Sequence, residues 1–209
     1  MEPIKLSEVT LVNIENRKLE NLLPELYELE TVIQNNRSHI NDPTLTHVIS
    51  VRRELEQILE QVNPKIKNHL DQVIDSYSKK DLLLFASVFH DIAKKETIKR
   101  EGDKTKFPDH EEASAEKMKQ ILPRFDLSQR EKELVIKIIR NHGFFYDLPD
   151  YTGGDIDEKV DEFRNQYLDV FIEVVLHTKA DLLAGQLKEN DPEGFERRLG
   201  FFNKIINNY

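Results

Sequence analysis

Apolar residues recur at three- and four-residue steps along most of this chain, which is the spacing typical of amphipathic helices. Strand-like alternation is nowhere sustained and only seven glycines occur in 209 residues, so the pattern predicts an all-α fold. The predicted helices span 24–34, 42–62, 64–77, 79–95, 109–122, 128–142, 156–187 and 191–209, with a break near residue 165 left open. We expect loops at 97–108 and 143–155, the second long enough to form a lid or a pocket wall.

Four residue pairs have the spacing of helix starts, two as an N-cap before proline and two as capping boxes. These pairs are Asp42-Pro43, Asp191-Pro192, Asp109 with Glu112, and Ser128 with Glu131.

The chain contains no internal repeat and no linker, and its length suits one domain of ordinary size. We therefore expect a single compact domain over residues 1–209, with its core at 44–187 and terminal helices packed on it.

The composition excludes several kinds of chemistry. The chain contains no cysteine, so disulfides, thiolate zinc sites and cysteine nucleophiles are ruled out. Its first residues lack the basic and apolar parts of a signal peptide, and no apolar run reaches the ~18 residues of a membrane-spanning helix. A cytoplasmic protein without a membrane partner is expected.

Charge narrows the choice of partners. The net charge is −9, from 30 Lys and Arg against 39 Asp and Glu, which makes extended nucleic acid an unfavourable partner. Residues 94–106 are a local exception, with six basic side chains against three acidic ones. This run is either a solvated loop or a rim that collects phosphate beside His90 and Asp91, which directly precede it.

His90 and Asp91 carry the strongest chemical signal in the sequence. They close an apolar run, Leu82 to Phe89, that is expected to be a buried helix. A buried carboxylate beside a buried imidazole is costly unless its charge is compensated, and a bound cation provides that compensation. The pair therefore indicates a divalent-metal site, and through it a hydrolase.

Other residues of ligand type lie on the apolar faces of other predicted helices. His47 lies one turn before Val51, His142 extends the stripe of Ile138, and His110 begins the stripe of its own helix. A single histidine in such a position is more often a packing residue, whereas three of them beside a His-Asp pair favour a shared site.

The 168–187 helix carries a polar stripe of Glu173, His177 and Asp181 at four-residue steps. Such a stripe forms either a hydrogen-bonded seam between helices or part of a metal site. We favour ligation for Asp181 and packing for Glu173, and leave His177 open between the substrate pocket and packing. The two remaining histidines, His39 and His69, fit no stripe and are expected to be surface or packing residues.

Imidazoles and carboxylates without thiolates suit Mn, Fe, Ni, Co, Zn or Mg, as one or two ions. A divalent cation lowers the pKa of bound water toward ~7 and so supplies hydroxide at neutral pH. Lys94, one turn after Asp91, is placed to neutralise a phosphoryl oxygen, or is a surface lysine favoured by the helix dipole. The sequence contains no GxSxG, P-loop, HExxH or GxGxxG motif that would indicate another chemistry.

The ordered set of ligand-type residues resembles the HD-domain superfamily of metal-dependent phosphohydrolases. The matching segments are LTHVISVRREL, FASVFHDIAKKE, FPDHEEASAEKMKQIL, VIKIIRNH and HTKADLLAG. The resemblance implies an HD-type helical domain with its metal site between the central helices. By the same resemblance, one metal would be held by His47, His90, Asp91 and Asp181, and a second by His110 and His142 with Asp91 bridging. The alternative for His110 and His142 is binding of substrate phosphate.

Two N-terminal segments, NLLPELYELE and NNRSHINDPTLTH, look more narrowly like the HD domain of bacterial tRNA nucleotidyltransferases. No nucleotidyltransferase region accompanies them, so a stand-alone HD protein is expected. The chain departs from the wider family at Ala93, where glycine is frequent. It also has Gly143-Phe144-Phe145 in place of a GYP segment, which argues against cyclic-di-GMP as the substrate.

We therefore expect a phosphohydrolase that cleaves a small phosphomonoester or cyclic phosphodiester, with a nucleotide-like substrate favoured. Asp91 and Lys94 are the expected catalytic residues, and Lys94, Lys95 and His177 are expected to contact substrate. The alternative is a helical binding module for a tRNA end or a protein partner, in which the metal is structural.

Overall fold

Helices make up most of the chain in the computed structural model, which describes residues 2–209. The α-helices are α1 (Leu11–Glu15), α2 (Pro24–Glu28), α3 (Thr44–Gln61), α4 (Pro64–Leu70), α5 (Lys79–Phe89), α6 (Lys94–Thr97), α7 (His110–Ile121), α8 (Gln129–Asn141), α9 (Ile156–Gln166), α10 (Phe171–Ala184), α11 (Leu187–Asn190) and α12 (Pro192–Asn208). Short 3-10 turns occupy Leu6–Glu8, Leu29–Thr31, Leu122–Arg124 and Leu148–Asp150.

The longer helices pack around one apolar core. Helix α10 lies against α3 and α12, α5 lies between α3 and α8, and α7 packs on α8. Their inward-facing residues form one continuous cluster of buried apolar side chains, which includes Leu55 of α3 and the neighbouring rings of Phe85 and Phe89 of α5. This arrangement confirms the predicted all-α class and the single helical domain, while its exact limits at 1–209 stay a prediction.

No helix among residues 2–209 combines the length and the apolar character that crossing a bilayer requires. The expected cytoplasmic location stays a prediction.

Two small hairpins interrupt the helical pattern. Strand β1 (Ile33–Gln34) pairs antiparallel with β2 (Asp42–Pro43), and β3 (Lys99–Glu101) pairs with β4 (Lys104–Lys106). The first hairpin lies where the sequence predicted the end of one helix and the start of another. The second lies inside the predicted loop 97–108. Strands of two or three residues are too short to show the alternation that predicts a strand.

Two of the predicted helix caps are wrong. Asp42 belongs to β2, its carboxylate lies 2.9 Å from Nδ1 of His39, and α3 begins two residues later at Thr44. Asp109 does precede the first residue of α7, but its backbone is left-handed with φ of 55° and its side chain makes no capping hydrogen bond. The contact between Asp42 and His39 depends on the β1–β2 hairpin, which the local spacing does not reveal.

The two other caps are confirmed. The hydroxyl of Ser128 accepts the N–H of Glu131, the carboxylate of Glu131 accepts the N–H of Ser128, and Asp191 caps Gly194 at the start of α12. The break near residue 165 is also confirmed, because α9 ends at Gln166 and α10 begins at Phe171.

Three predicted helices are shorter in the structure. The helix predicted for 24–34 ends as α2 at Glu28 and passes through a 3-10 turn, and the helix predicted for 64–77 ends as α4 at Leu70. The helix predicted for 79–95 ends as α5 at Phe89, so His90 and Asp91 lie in the turn between α5 and α6. This early end of α5 positions the candidate site.

Glu131 provides a stability test of this packing. Its fully buried carboxylate accepts the backbone N–H groups of Ser76 at 2.6 Å, Tyr77 at 2.8 Å and Ser128 at 2.8 Å, and so ties the loop before α5 to α8. Glu131→Ala leaves these donors unpaired, and we expect a loss of about 3 kcal/mol in the free energy of unfolding, measured by urea denaturation.

The matched control is Glu133→Ala, which removes an exposed carboxylate two residues along the same helix. We expect this control to change the free energy of unfolding by less than about 0.5 kcal/mol. Equal losses in the two variants would contradict the role given to Glu131.

Candidate metal centre

The carboxylate of Asp91 lies at the centre of the site and is 1% exposed. Its Oδ2 lies 3.1 Å from Nε2 of His90 and 3.8 Å from Nε2 of His47. Its other oxygen, Oδ1, lies 3.3 Å from Nε2 of His110 and 3.8 Å from Nε2 of His142. One carboxylate therefore faces two separate pairs of imidazoles, one pair from each oxygen.

The ends of helices bring these side chains together. His90 and Asp91 follow the last residue of α5, His110 is the first residue of α7, and His142 follows the last residue of α8. His47 and Asp181 come instead from within α3 and α10, which pack against each other. Nε2 of His47 and Oδ1 of Asp181 lie 2.8 Å apart. All six residues predicted as metal ligands therefore lie in one connected cluster.

Three of the imidazoles are fixed in the same orientation. In each, Nδ1 contacts the backbone carbonyl three residues earlier, and a carbonyl can only accept a hydrogen bond. The contacts are His90 to Ser87 at 2.8 Å, His110 to Phe107 at 2.9 Å, and His142 to Ile139 at 2.7 Å. The proton therefore resides on Nδ1, which leaves the lone pair of Nε2 for a cation, as is usual for metal-binding histidines.

Several polar atoms at this point are buried without a hydrogen bond among residues 2–209. They are both nitrogens of His47, Nε2 of His90, and both carboxylate oxygens of Asp91. These atoms lie close to neighbouring polar atoms, but the contacts do not have the geometry of hydrogen bonds. Unpaired buried polar atoms are costly, and atoms that face a shared cation are arranged in this way. The donor set fits a divalent metal.

Electrostatics favour the ionised carboxylates and neutral imidazoles that metals require. Burial alone would raise the pKa of Asp91, but His90 and Lys94 outweigh it and hold that pKa well below its ordinary value. Burial, reinforced by the nearby His90, lowers the pKa of His142 well below its usual range, and burial also lowers the pKa of His47. His90 differs, because Asp91 outweighs burial and raises its pKa.

The structure also brings in residues that the sequence pattern missed. Glu111 completes a possible ligand group with His110 and His142, and His39 with Asp42 forms another with His47. Within each group the ligand atoms lie within 4.8 Å of one another. Acidic residues such as Glu111 are common in the first turn of a helix, and His39 lies in a loop without periodicity. No local pattern therefore marks either residue as a metal ligand.

A cavity of about 660 Å³ opens above the cluster, and Asp91, His110, His142 and Asp181 reach it. Its walls come from the segment between β1 and β2, from the β3–β4 hairpin, from Gly143 to Asp147, and from Arg198 of α12. Lys99 and Lys106 of the hairpin line the cavity, so this part of the basic run 94–106 lies beside the cluster. The 143–155 segment contributes to the pocket wall through Gly143, Tyr146 and Asp147.

Lys94 lies within this cavity and Lys95 does not. The ammonium of Lys94 is buried, lies 2.7 Å from Oδ2 of Asp91 and lines the cavity. The ammonium of Lys95 pairs with Glu28 at 2.9 Å on the exposed surface, so the structure places it away from the other predicted site residues. Consecutive residues at a helix start point in different directions, which explains the difference.

His177 and Glu173 lie behind the cluster. The ring of His177 is fully buried, with its centroid 4.7 Å from that of His90 and 5.5 Å from that of His142, and it does not line the cavity. The structure therefore favours packing for His177. Glu173 is also fully buried and pairs with Lys79 at 3.0 Å and with His69 at 2.9 Å, in a cluster outside the metal centre.

Comparison with known families agrees with this geometry. A family model described as HD domain matches residues 44–185, which is more than half of the chain and contains all six ligand-type residues. The chain therefore belongs to the HD domain family, whose members are typically metal-dependent phosphohydrolases. No curated protein matches the sequence. The narrower likeness to the HD domain of tRNA nucleotidyltransferases stays a prediction.

Asp91 provides the test of the metal centre. Asp91→Asn keeps the shape of the side chain but removes the charge that faces both pairs of imidazoles. We expect the metal content of the purified protein, measured by mass spectrometry, to fall from at least one equivalent to below about a tenth. Wild-type protein should also gain thermal stability when Mn²⁺ is added, and the variant should not.

The control is Asp71→Asn, which neutralises an exposed carboxylate at the end of α4. We expect it to keep the wild-type metal content and the wild-type gain in melting temperature. Circular dichroism should show the same helical content in all three proteins. Stoichiometric metal in Asp91→Asn would contradict the central role of this carboxylate.

Proposed function

We propose that this HD-domain protein hydrolyses a small phosphate ester, a nucleotide-like phosphomonoester or cyclic phosphodiester, in the cavity above its His/Asp cluster. The observation that carries the proposal is the position of Asp91 between two pairs of imidazoles, with the ammonium of Lys94 beside it in the same cavity. This arrangement combines a cation-binding centre with a fixed positive charge at the place where a phosphoryl group would bind.

The donor set supports two cation positions that share Asp91. His47 and His90 face one oxygen of Asp91, with Asp181 beside His47, and His110 and His142 face the other oxygen. Divalent cations at such a centre activate water and neutralise charge on a phosphate that is being cleaved.

The protein's own groups prepare the site for this reaction. The carbonyl contacts to Nδ1 hold His90, His110 and His142 in one orientation, so the centre needs little reorganisation. Lys94 Nζ is held by Asp91 at 2.7 Å, which places a positive charge next to the centre before substrate arrives. Because that ammonium is buried, water screens it less than it screens a surface lysine.

Size and charge favour a small anionic substrate. A cavity of about 660 Å³ lies within the range of ~300–1,000 Å³ that small-molecule sites usually have. Five basic side chains, Lys99 and Lys106 among them, line its wall against five acidic ones, whereas the chain as a whole carries −9. A cavity without the excess negative charge of the rest of the protein suits a compact phosphate better than a nucleic-acid backbone.

A substrate panel tests the proposed activity. Protein loaded separately with Mn²⁺, Co²⁺, Ni²⁺, Zn²⁺ or Mg²⁺ would be offered nucleoside monophosphates, 2′,3′-cyclic and 3′,5′-cyclic nucleotides, and simple aryl phosphates. We expect turnover of at least one class, detected by chromatography of the products. Stoichiometric metal without turnover on any member would overturn the proposal and favour the non-catalytic binding module.

Lys94→Met tests the contribution of the ammonium, since methionine keeps most of the side-chain length without the charge. We expect kcat/KM on the best panel substrate to fall by about 100-fold or more, with metal content unchanged. The control is Lys104→Met, which removes an exposed lysine of β4 that does not line the cavity. Equal activity in the Lys94 variant and wild type would contradict a catalytic role for Lys94.

A further inference from the structure

Gln34 is a buried amide that reaches the cavity from outside the region matched by the HD family. The match covers residues 44–185, whereas Gln34 is the last residue of β1. Its side chain is fully buried and lines the cavity. A polar side chain that is both buried and adjacent to a candidate active site requires an explanation from its hydrogen bonds.

The backbone around Gln34 is firmly held. Gln34 pairs with Asp42 in the β1–β2 hairpin. The next residue, Asn35, donates its N–H to Oγ1 of Thr105 at 2.7 Å and accepts the N–H of Thr105 at 2.9 Å. These contacts join β1 to β4 across 70 residues of sequence. The position of the Gln34 side chain is therefore fixed by two hairpins and not by a mobile loop.

The amide of Gln34 contacts the candidate catalytic lysine. Lys94 Nζ donates to Oε1 of Gln34 at 2.6 Å, and the same ammonium lies 2.7 Å from Oδ2 of Asp91. Because an ammonium can only donate, the amide oxygen must face Lys94 and the amide nitrogen must point elsewhere. Nε2 of Gln34 is buried and has no hydrogen-bond partner among residues 2–209. A carboxamide thus presents a free donor beside a fixed ammonium.

We propose that Gln34 and Lys94 together form a binding site for one phosphoryl group of the substrate. Nε2 of Gln34 donates a hydrogen bond to a phosphoryl oxygen, and Oε1 holds the ammonium of Lys94 against the same group. This inference rests on the proposed phosphohydrolase function and adds a substrate-binding residue from the flanking segment. Nε2 and Oε1 are bonded to the same carbon atom, so a free donor lies close to the atom that holds the ammonium.

The charge of the site explains why an amide suits this position. Lys94 already faces one carboxylate, Asp91, at 2.7 Å. A glutamate at position 34 would give the ammonium a second negative partner and would repel an anionic substrate. Glutamine instead supplies an acceptor for Lys94 without removing its positive charge, and adds a donor that an anion can accept from.

Two variants separate the functions of the amide. Gln34→Glu keeps an acceptor for Lys94 but replaces the free donor with an anionic oxygen, and Gln34→Met removes both groups at similar size. The control is Gln61→Glu, which adds the same charge at an exposed position at the end of α3. Metal content would be measured first, and we expect it to be unchanged in all three variants.

The decisive measurement is calorimetric binding of inorganic phosphate to the Mn²⁺-loaded proteins. We expect Gln34→Glu to bind phosphate at least about tenfold more weakly than wild type, and Gln34→Met to bind more weakly to a smaller degree. Gln61→Glu should match wild type within about twofold. For a substrate that the wild type turns over, we expect Gln34→Glu to raise KM by more than it lowers kcat.

The inference would be overturned if wild type and Gln34→Glu bound phosphate equally, if wild type bound none, or if both Gln34 variants lost metal. The last result would make Gln34 a support of the metal centre. Failure of this inference is distinguishable from failure of the proposed function. Turnover with equal phosphate affinities refutes only the role of Gln34, whereas unequal affinities without turnover refute only the hydrolase.

Discussion

The whole site depends on the burial of one carboxylate. Asp91 is 1% exposed and is surrounded by four imidazoles and one ammonium, with no hydrogen bond of suitable geometry to its oxygens among residues 2–209. Such a group is stable only when positive charge surrounds it closely. The turn after α5, the first residue of α7 and the end of α8 all deliver positive or metal-binding groups to this point. The packing of the helices therefore places compensating groups around a single buried carboxylate.

The arrangement also divides the site into an inner and an outer part. The inner part is rigid, since carbonyl contacts fix the rings of His90, His110 and His142 and since α3 and α10 pack tightly behind it. The outer part is built from the two hairpins and the start of the 143–155 segment. Lys94 connects the two parts, because its ammonium contacts Asp91 on one side and Gln34 on the other.

Helical periodicity reports which side chains face the core, and so it indicated the inner part of the site. It placed His47 and Asp181 on the inward faces of their helices, and the structure brings the two side chains 2.8 Å apart. The patterns did not predict the end of α5 at Phe89, since buried Ile92 and Ala93 continue its apolar run. The positions of Gln34 and Lys95 depend on contacts with distant segments, for which a local pattern contains no information.

Segments that flank the HD match contribute to the cavity wall. The six predicted metal ligands lie inside 44–185, whereas Gln34, the segment 36–39 and Arg198 lie outside it. A substitution in these flanking segments can therefore reshape part of the cavity while every predicted metal ligand stays in place.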